Sequence, residues 1–403
     1  MSGRSVYINW IVTSYTGWGV YGLNLLLHWC RDPDLTPFVS GAFHNNTLAL
    51  DPLQRLAVSP VLQRSLEFQE KLKAFQNGVA TVQAPALNYL DESFVVGTVK
   101  HHVRLEGTPT IGVTFFETTQ LDPDAVARAL KYPLVVTGST WNTDILRAHG
   151  LKSLRLVIQG VDPTLFHPAP RAGFMGDRFL VFSGGKLERR KGQDIVMAAF
   201  RRFAEKHPDA LLVTAWHSLA KGYASSLDAS DLTAPVTFKP SEGGDQSSDI
   251  VDVRAWALAN GVGPGQILDL GLVSNSQMPM VLREMDVALF TNRAEGGTNL
   301  VAMECMACGV PTILSRNTGH LDLIEDDNCF PLVQQGSLEG REAGFGDVPG
   351  WGESDVDEVL EQLERVYAHR QEARERGMRG AAFLSQYGWS QTAAQMKDIV
   401  VSA

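Results

Sequence analysis

Short runs rich in β-branched and apolar residues alternate with helical stretches along this chain, and the alternation runs through twice. In the first half, "VYINWIV" (6–12), "TIGVTFF" (110–116), "LVVTGS" (134–139) and "LRLVIQGV" (154–161) read as strands. A helix through "LNLLLHW" and another opening near Ser139 lie between them. The second half restarts with "RFLVFSGG" (178–185) and a helix from about 191, then "ALLVTAW" (210–216), "QILDLGLV", "VALFTNR" (287–293), a helix around 299–308 and "PTILSR" (311–316). Strands that alternate with helices imply βαβ units and parallel sheets. Two tandem doubly wound α/β domains are therefore expected, with "FHPAPRAGFMGDR" (166–178) as the linker. Such sheets bind ligands at the carboxyl ends of their strands, and a cleft between two of them is a natural ligand site.

The length of 403 residues suits two domains. A net charge of −10 disfavours a nucleic-acid partner. The start "MSGRSVYINWIV" lacks signal-peptide architecture, and no apolar run reaches the roughly 18 residues a membrane span needs. Four cysteines in an acidic, leaderless chain read as cytosolic and reduced. Residues 217–265 read as a surface excursion with one helix, and 354–403 as charged helices opened by a Ser354/Asp357 capping box.

Two stretches carry chemistry. "FSGGKLERRKGQDIVMAAF" (182–200) sets a glycine turn and four cations, Lys186, Arg189, Arg190 and Lys191, ahead of a helix. Glycine lets backbone approach a ligand, and a helix N-terminus offers free N–H groups. The combination suits a diphosphate, or else is a solvated basic loop. It is not the phosphate loop of nucleotide hydrolases. "AEGGTNLVAMECMACGVP" (294–311) sets Glu295 and Glu304 on either side of a glycine turn that opens a helix at Thr298 or Asn299. Glu304 has apolar neighbours, so its carboxylate needs a partner, and vicinal ribose hydroxyls would serve. Glu295, on the turn, either reaches a polar ligand or offsets Arg293.

"GKLERRKG", "EGGTNLVAMECMACGVP" and "VIQGVDPTLFHP" (157–168), in this order, resemble the retaining glycosyltransferases of family 4, which have the GT-B fold of two Rossmann-like domains and an interdomain cleft. "TGWG" and "FFETTQL" match more loosely. The resemblance implies transfer of a sugar from a nucleotide-sugar donor to a saccharide or other hydroxyl acceptor, with retention of configuration. It implies no metal and no cofactor beyond the donor. An acceptor-side domain at 1–168, a donor-binding domain at 176–385 and a terminal helix at 386–403 returning toward the first domain are expected. Lys186 and Lys191 match the donor-diphosphate positions, and Glu304 the ribose binder. Glu295 lies by the donor sugar. Gly296, Gly297, Thr298 and Asn299 would line the sugar and phosphate site, and Gly17 and Gly19 would form a loop facing the diphosphate. Eight residues separate the two glutamates here, against seven in the family; the glycine pair would absorb the extra residue. Many members carry a histidine near the donor sugar where this chain offers Glu117, so Glu295 and Glu117 are the candidate catalytic residues. His101 and His102 are weaker candidates.

The same scaffold also serves phosphorylases and sugar-phosphate synthases, and a catalytically silent binding subunit would keep the same motifs. A nicotinamide dehydrogenase is disfavoured, because the second half, which carries the Lys186–Lys191 loop, has no G-x-G-x-x-G after its first strand. Cys305 and Cys308 form a single CxxC and read as helix core. Asp32/Asp34, Asp122/Asp124 and Asp355/Asp357 resemble a metal-binding DxD but lie near helix starts, where an aspartate caps. The helical stretch 51–77 is too weakly basic for firm membrane attachment.

Overall fold

The structure is a computed structural model that describes residues 3–75, 78–96, 104–218, 221–240, 247–338 and 348–402. His101 and His102 lie outside the described residues. The chain divides into two compact units: unit 1 is Met1–Asp162 with Ser274–Ser276 and Tyr387–Ala403, and unit 2 is Pro163–Val273 with Gln277–Gln386.

Unit 1 contains β1 (Arg4–Asn9), α1 (Gly17–Trp29), β2 (Leu35–Val39), α2 (Pro52–Leu72), β3 (Ala86–Leu90), β4 (Thr110–Thr114), α3 (Pro123–Ala129), β5 (Leu134–Thr137), α4 (Thr140–Ala148) and β6 (Leu154–Leu156). These six strands form one sheet in the order β2-β1-β3-β4-β5-β6, and every pairing is parallel. Unit 2 contains β7 (Phe179–Lys186), α5 (Gln193–Lys206), β8 (Ala210–His217), α6 (Val253–Ala259), β9 (Ile267–Asp269), β10 (Val287–Phe290), α7 (Leu300–Ala307), β11 (Thr312–Ser315), β12 (Phe330–Leu332), α8 (Val356–Ala368) and α9 (Arg370–Leu384). Its sheet runs β9-β8-β7-β10-β11-β12, again all parallel. The last helix, α10 (Trp389–Ser402), belongs to unit 1, where Trp29 donates its indole N–H to the Ala393 carbonyl at 3.1 Å.

Parallel strands are covered on both faces by their crossover helices, so they read as continuous apolar runs. The first six residues of β7, FLVFSG, are all buried, and so is the whole of β10. Phe179, Val181, Ile195, Phe200, Leu212, Leu289 and Ile313 meet in the core of unit 2. Helix starts follow capping chemistry. The Thr16 hydroxyl accepts from Gly19 N, Ser139 from Asn142 N, and Asp122 from Asp124 N with Pro123 in the first turn.

Several expectations need correction. The strands are shorter than the apolar runs, and β2, β3 and β12 lie outside the runs expected to be strands. Pro37 and Pro331 interrupt the sequence pattern of β2 and β12; both are edge strands, where a residue that cannot donate to the ladder is tolerated. α8 is capped by Asp355, which accepts from Asp357 N and Glu358 N. Ser354 is instead drawn into a two-residue pairing with Gln335. The stretch 217–265 is no surface excursion in its described part: Leu227, Val251 and Trp256 are buried in the unit 2 core. The segment expected to be a linker is docked on unit 2. Arg171 bonds to the Asp286 carboxylate at 2.8 Å and the Met285 carbonyl at 2.6 Å, and Glu284 accepts from Ala172 N and Gly173 N.

Candidate functional site

In an open parallel sheet the strand order reverses at one point, and the loops leaving the carboxyl ends there diverge to opposite faces, opening a crevice. In unit 2 that point lies between β7 and β10. Lys186 ends β7, and residues 187–192 lead into α5. Gly192 has φ 72°, and a Cβ there would overlap the Thr291 backbone, so only glycine fits. Thr291, just past β10, fastens the two loops by donating its hydroxyl to the Gly192 carbonyl at 2.7 Å.

The four cations of the first loop divide into two kinds. Arg189 and Arg190 are buried, their side chains 10% and 8% exposed, and they serve the fold. Arg190 donates to the Ala294 carbonyl at 2.7 Å and pairs with Glu188. Arg189 lies 3.8 Å from the Glu353 carboxylate. Lys186 and Lys191 keep more of their side chains accessible, 31% and 16%. Lys186 pairs with Glu188 at 2.7 Å and stands 3.9 Å above the Tyr223 ring. Lys191 pairs with Glu295.

Glu295 is held on every side. Its N–H donates to the Thr318 hydroxyl at 2.8 Å and its carbonyl accepts from Gly319 N at 3.0 Å. Its carboxylate takes Lys191 and the Asn292 amide, with Arg190 at 3.6 Å. Burial on its own would raise the carboxyl pKa; the charges of Lys191 and Arg190 override it and hold the group at about 2. The alternative in which Glu295 offsets Arg293 does not hold. Arg293 is fully buried and forks onto Asp194 at 2.8 and 2.7 Å, with Glu353 beside it at 2.7 Å.

The rest of the turn is braced from behind by residues that sequence reasoning missed. A Cβ at Gly319 would overlap the Gly297 carbonyl, so the 317–320 segment lies directly against the 295–297 backbone. A left-handed conformation falls on Asn299, at φ 62°. Asn299 caps α7 through Ala302 N and donates its amide to His320 Nε2 at 3.1 Å. His320 Nδ1 lies 3.1 Å from the Ser315 carbonyl, which fixes the proton on Nδ1. Burial drives the His320 pKa down to about 4 against the pull of the Glu295 charge, so the ring is neutral. Thr298 turns its hydroxyl inward, 3.0 Å from the Met303 sulfur. Gly296 and Glu304 are both buried, the latter 4% exposed on α7. Glu188 and Asn292 have no local signal, and "NTGH" (317–320) after a strand is the one cue to Thr318, Gly319 and His320.

Gly17, Gly19 and Glu117 belong to unit 1. The two glycines form the first turn of α1, where a loop was expected. Gly19 is required sterically, since a Cβ would overlap Thr13, whereas Gly17 faces open space. Glu117 is half-buried in the loop after β4. Unit 1's own reversal point, between β1 and β3, is aromatic. Trp18 packs at 4.4 Å from Tyr89, 4.5 Å from Phe115 and 5.5 Å from Trp10.

Asp32 and Asp34 pair with Lys397, while Asp122 and Asp355 cap helices, so the DxD pairs are structural. Among the described residues no group of three or more His, Cys, Asp or Glu is placed to hold a metal ion. Cys305 and Cys308 are buried in and beside α7, and burial pushes the Cys308 thiol up to about 12, so both act as core. No helix among the described residues is long and apolar enough to cross a membrane.

Comparison with curated proteins gives no match. Solved structures do match along their whole length. Sucrose-phosphate synthase from Thermosynechococcus elongatus aligns at 14% identity over 98% of both chains, with a TM-score of 0.61. Anabaena HepE, solved with UDP-glucose, aligns at 15% identity over 98% of this chain and 100% of that one, with a TM-score of 0.60. The lipopolysaccharide outer core galactosyltransferase WaaB aligns at 12% identity over 99% of each, with a TM-score of 0.54. At such identities the likeness shows the fold. Residues 274–396, which include the Glu295–Glu304 stretch, match the family described as "Family 4 Glycosyltransferase in conflict systems". The chain therefore has the GT-B fold, and its segment 274–396 is similar to that family of glycosyltransferases.

Proposed function

We propose that the chain transfers a sugar from a nucleotide-sugar donor to a hydroxyl acceptor, with retention of configuration and without a metal ion. The observation that carries this reading is the reversal point of unit 2. There, Lys186 and Lys191 from one loop are partly accessible, and Lys191 pairs with the buried Glu295 carboxylate from the other. Lys186 and Lys191 supply charge for a departing diphosphate, and electrostatic stabilisation of this kind is commonly the largest catalytic term. Glu295 serves the donor sugar, orienting it or stabilising an oxocarbenium-like centre during same-face attack. Glu304 holds the ribose and Glu117 is a second catalytic candidate. HepE, with its UDP-glucose, makes a uridine nucleotide the first donor to test.

The test is a thermal-shift panel of nucleotide sugars, followed by transfer assays in chelator with the product anomer read by NMR. One donor that stabilises the protein selectively, and a product that keeps the donor's configuration in chelator, are expected. Loss of transfer in chelator with rescue by manganese would overturn metal independence, and an inverted anomer would overturn retention. Because one structural neighbour is a sucrose-phosphate synthase, the acceptor panel should include sugar phosphates and inorganic phosphate. Turnover with those alone would support the synthase or phosphorylase reading. Donor binding with no transfer to any acceptor would support a silent binding subunit.

A further inference from the structure

The charges around the β7 and β10 loops are almost balanced. Lys186, Arg189, Arg190, Lys191 and Arg293 face Glu188, Asp194, Glu295 and Glu353, each paired within the protein. An incoming diphosphate therefore meets cations that already have carboxylate partners, and it can bind only by exchange. The arginines are poor candidates for exchange: Arg190 and Arg293 are buried and bonded to the Ala294 carbonyl and the Asp194 carboxylate, and Arg189 is buried beside Glu353. Lysine is a compact charge on a flexible stem, and Lys191, 16% exposed, pairs with the Glu295 carboxylate.

We propose that Glu295 is an internal competitor for the donor's diphosphate: it holds Lys191 until the diphosphate takes the ammonium, and the released carboxylate then serves the donor sugar. This rests on reading unit 2 as the nucleotide-sugar site. Three features make the exchange feasible. The Glu295 backbone is pinned by Thr318 and Gly319, so only the side chain turns. The released carboxylate keeps Asn292 and Arg190, so it is not left buried without a partner. The Lys186 partner, Glu188, likewise keeps Arg190 if Lys186 moves. The carboxylate is thereby made available only when a diphosphate is present.

The experiment is calorimetry with UDP, GDP, uridine and guanosine on the wild type, Glu295→Gln, Lys191→Gln and the double variant. Glutamine keeps the size and an acceptor for Asn292 but removes the charge that competes. Glu295→Gln should bind a nucleoside diphosphate about tenfold more tightly, with nucleoside affinity unchanged, while sugar transfer falls. That tenfold is about 1.4 kcal/mol. The gain should vanish in the Lys191→Gln background, which binds the diphosphate more weakly than wild type. Equal or weaker diphosphate binding by a Glu295→Gln protein that melts like wild type would overturn the proposal and leave the donor-site reading standing. Failure of either diphosphate to bind any variant or the wild type would overturn both. A gain that persists without Lys191 would also overturn the competition.

Discussion

The two sheets of this protein open their crevices with opposite chemistry. Unit 1 reverses between β1 and β3 and lines that edge with rings: Trp10 and Tyr21 are buried, while Trp18, Tyr89 and Phe115 are half-buried. Unit 2 reverses between β7 and β10 and lines the edge with charge, five cations against four carboxylates. The backbone architecture is nearly the same in both, so the difference lies in the loops. Rings hold their loops by area and shape. Ion pairs hold theirs only while each partner stays paired, because a buried charge left alone is costly. The charged edge should therefore be the more fragile of the two, and the more responsive to pH and to anions.

The harshest way to break the charged edge is Arg293→Met. It strands Asp194, which is fully buried, and should cost about 3–5 kcal/mol, read as a lower urea midpoint. A loss under about 1 kcal/mol would show that water or Ser230, which donates to Asp194 at 2.6 Å, suffices.

Acid should come next. The His320 pKa of about 4 lies below its ordinary value, so the unfolded chain binds the proton first as pH falls. Stability from this group is fully present above about pH 6.5 and declines toward pH 4, by about 3 kcal/mol. Below that, Glu295, held at about 2, extends the loss in the same direction. Urea unfolding between pH 7 and 4 should show the slope, and His320→Gln should flatten it even if the variant starts less stable. An unchanged slope would place the acid sensitivity elsewhere.

At the aromatic edge the effects should be smaller and steric. Gly19→Ala drives a Cβ into Thr13 and should cost about 1–3 kcal/mol. Gly17→Ala, two residues earlier and facing open space, should change stability by about 0.5–1 kcal/mol, in the stabilising direction. Melting both variants sharpens the comparison within one helical turn. If Gly17→Ala keeps its fold but weakens nucleotide binding, Gly17 acts on the donor instead.

What was legible follows from which signals are local. The alternation of strands and helices showed both sheets, and the Gly-rich turns after β7 and β10 located the loops of unit 2. The pairing inside those loops was hidden, because Glu188, Arg190, Lys191 and Glu295 meet across 104 residues of chain. The run of four cations does not itself separate them, whereas the family resemblance singles out Lys186 and Lys191; burial divides the loop into two structural arginines and these two more accessible lysines. The cap of α8 was misplaced by one residue because Ser354 and Asp355 offer the same chemistry, and Gln335 decides by claiming Ser354. The stretch 217–265 reads as an excursion although its helix, α6, is the largely apolar VRAWALA that carries Trp256 into the unit 2 core.

The return of α10 to unit 1 has a consequence for biosynthesis. The indole of Trp29 on α1 finds its acceptor at Ala393, 364 residues downstream. A chain leaving the ribosome at about 5–20 residues per second shows that face of α1 for on the order of 20–70 s before α10 emerges. Gln386, the last residue of unit 2, leaves the ribosome before any of α10 does. The unit that is synthesised first is thus the last to close, and its apolar helix face is the one a chaperone would meet.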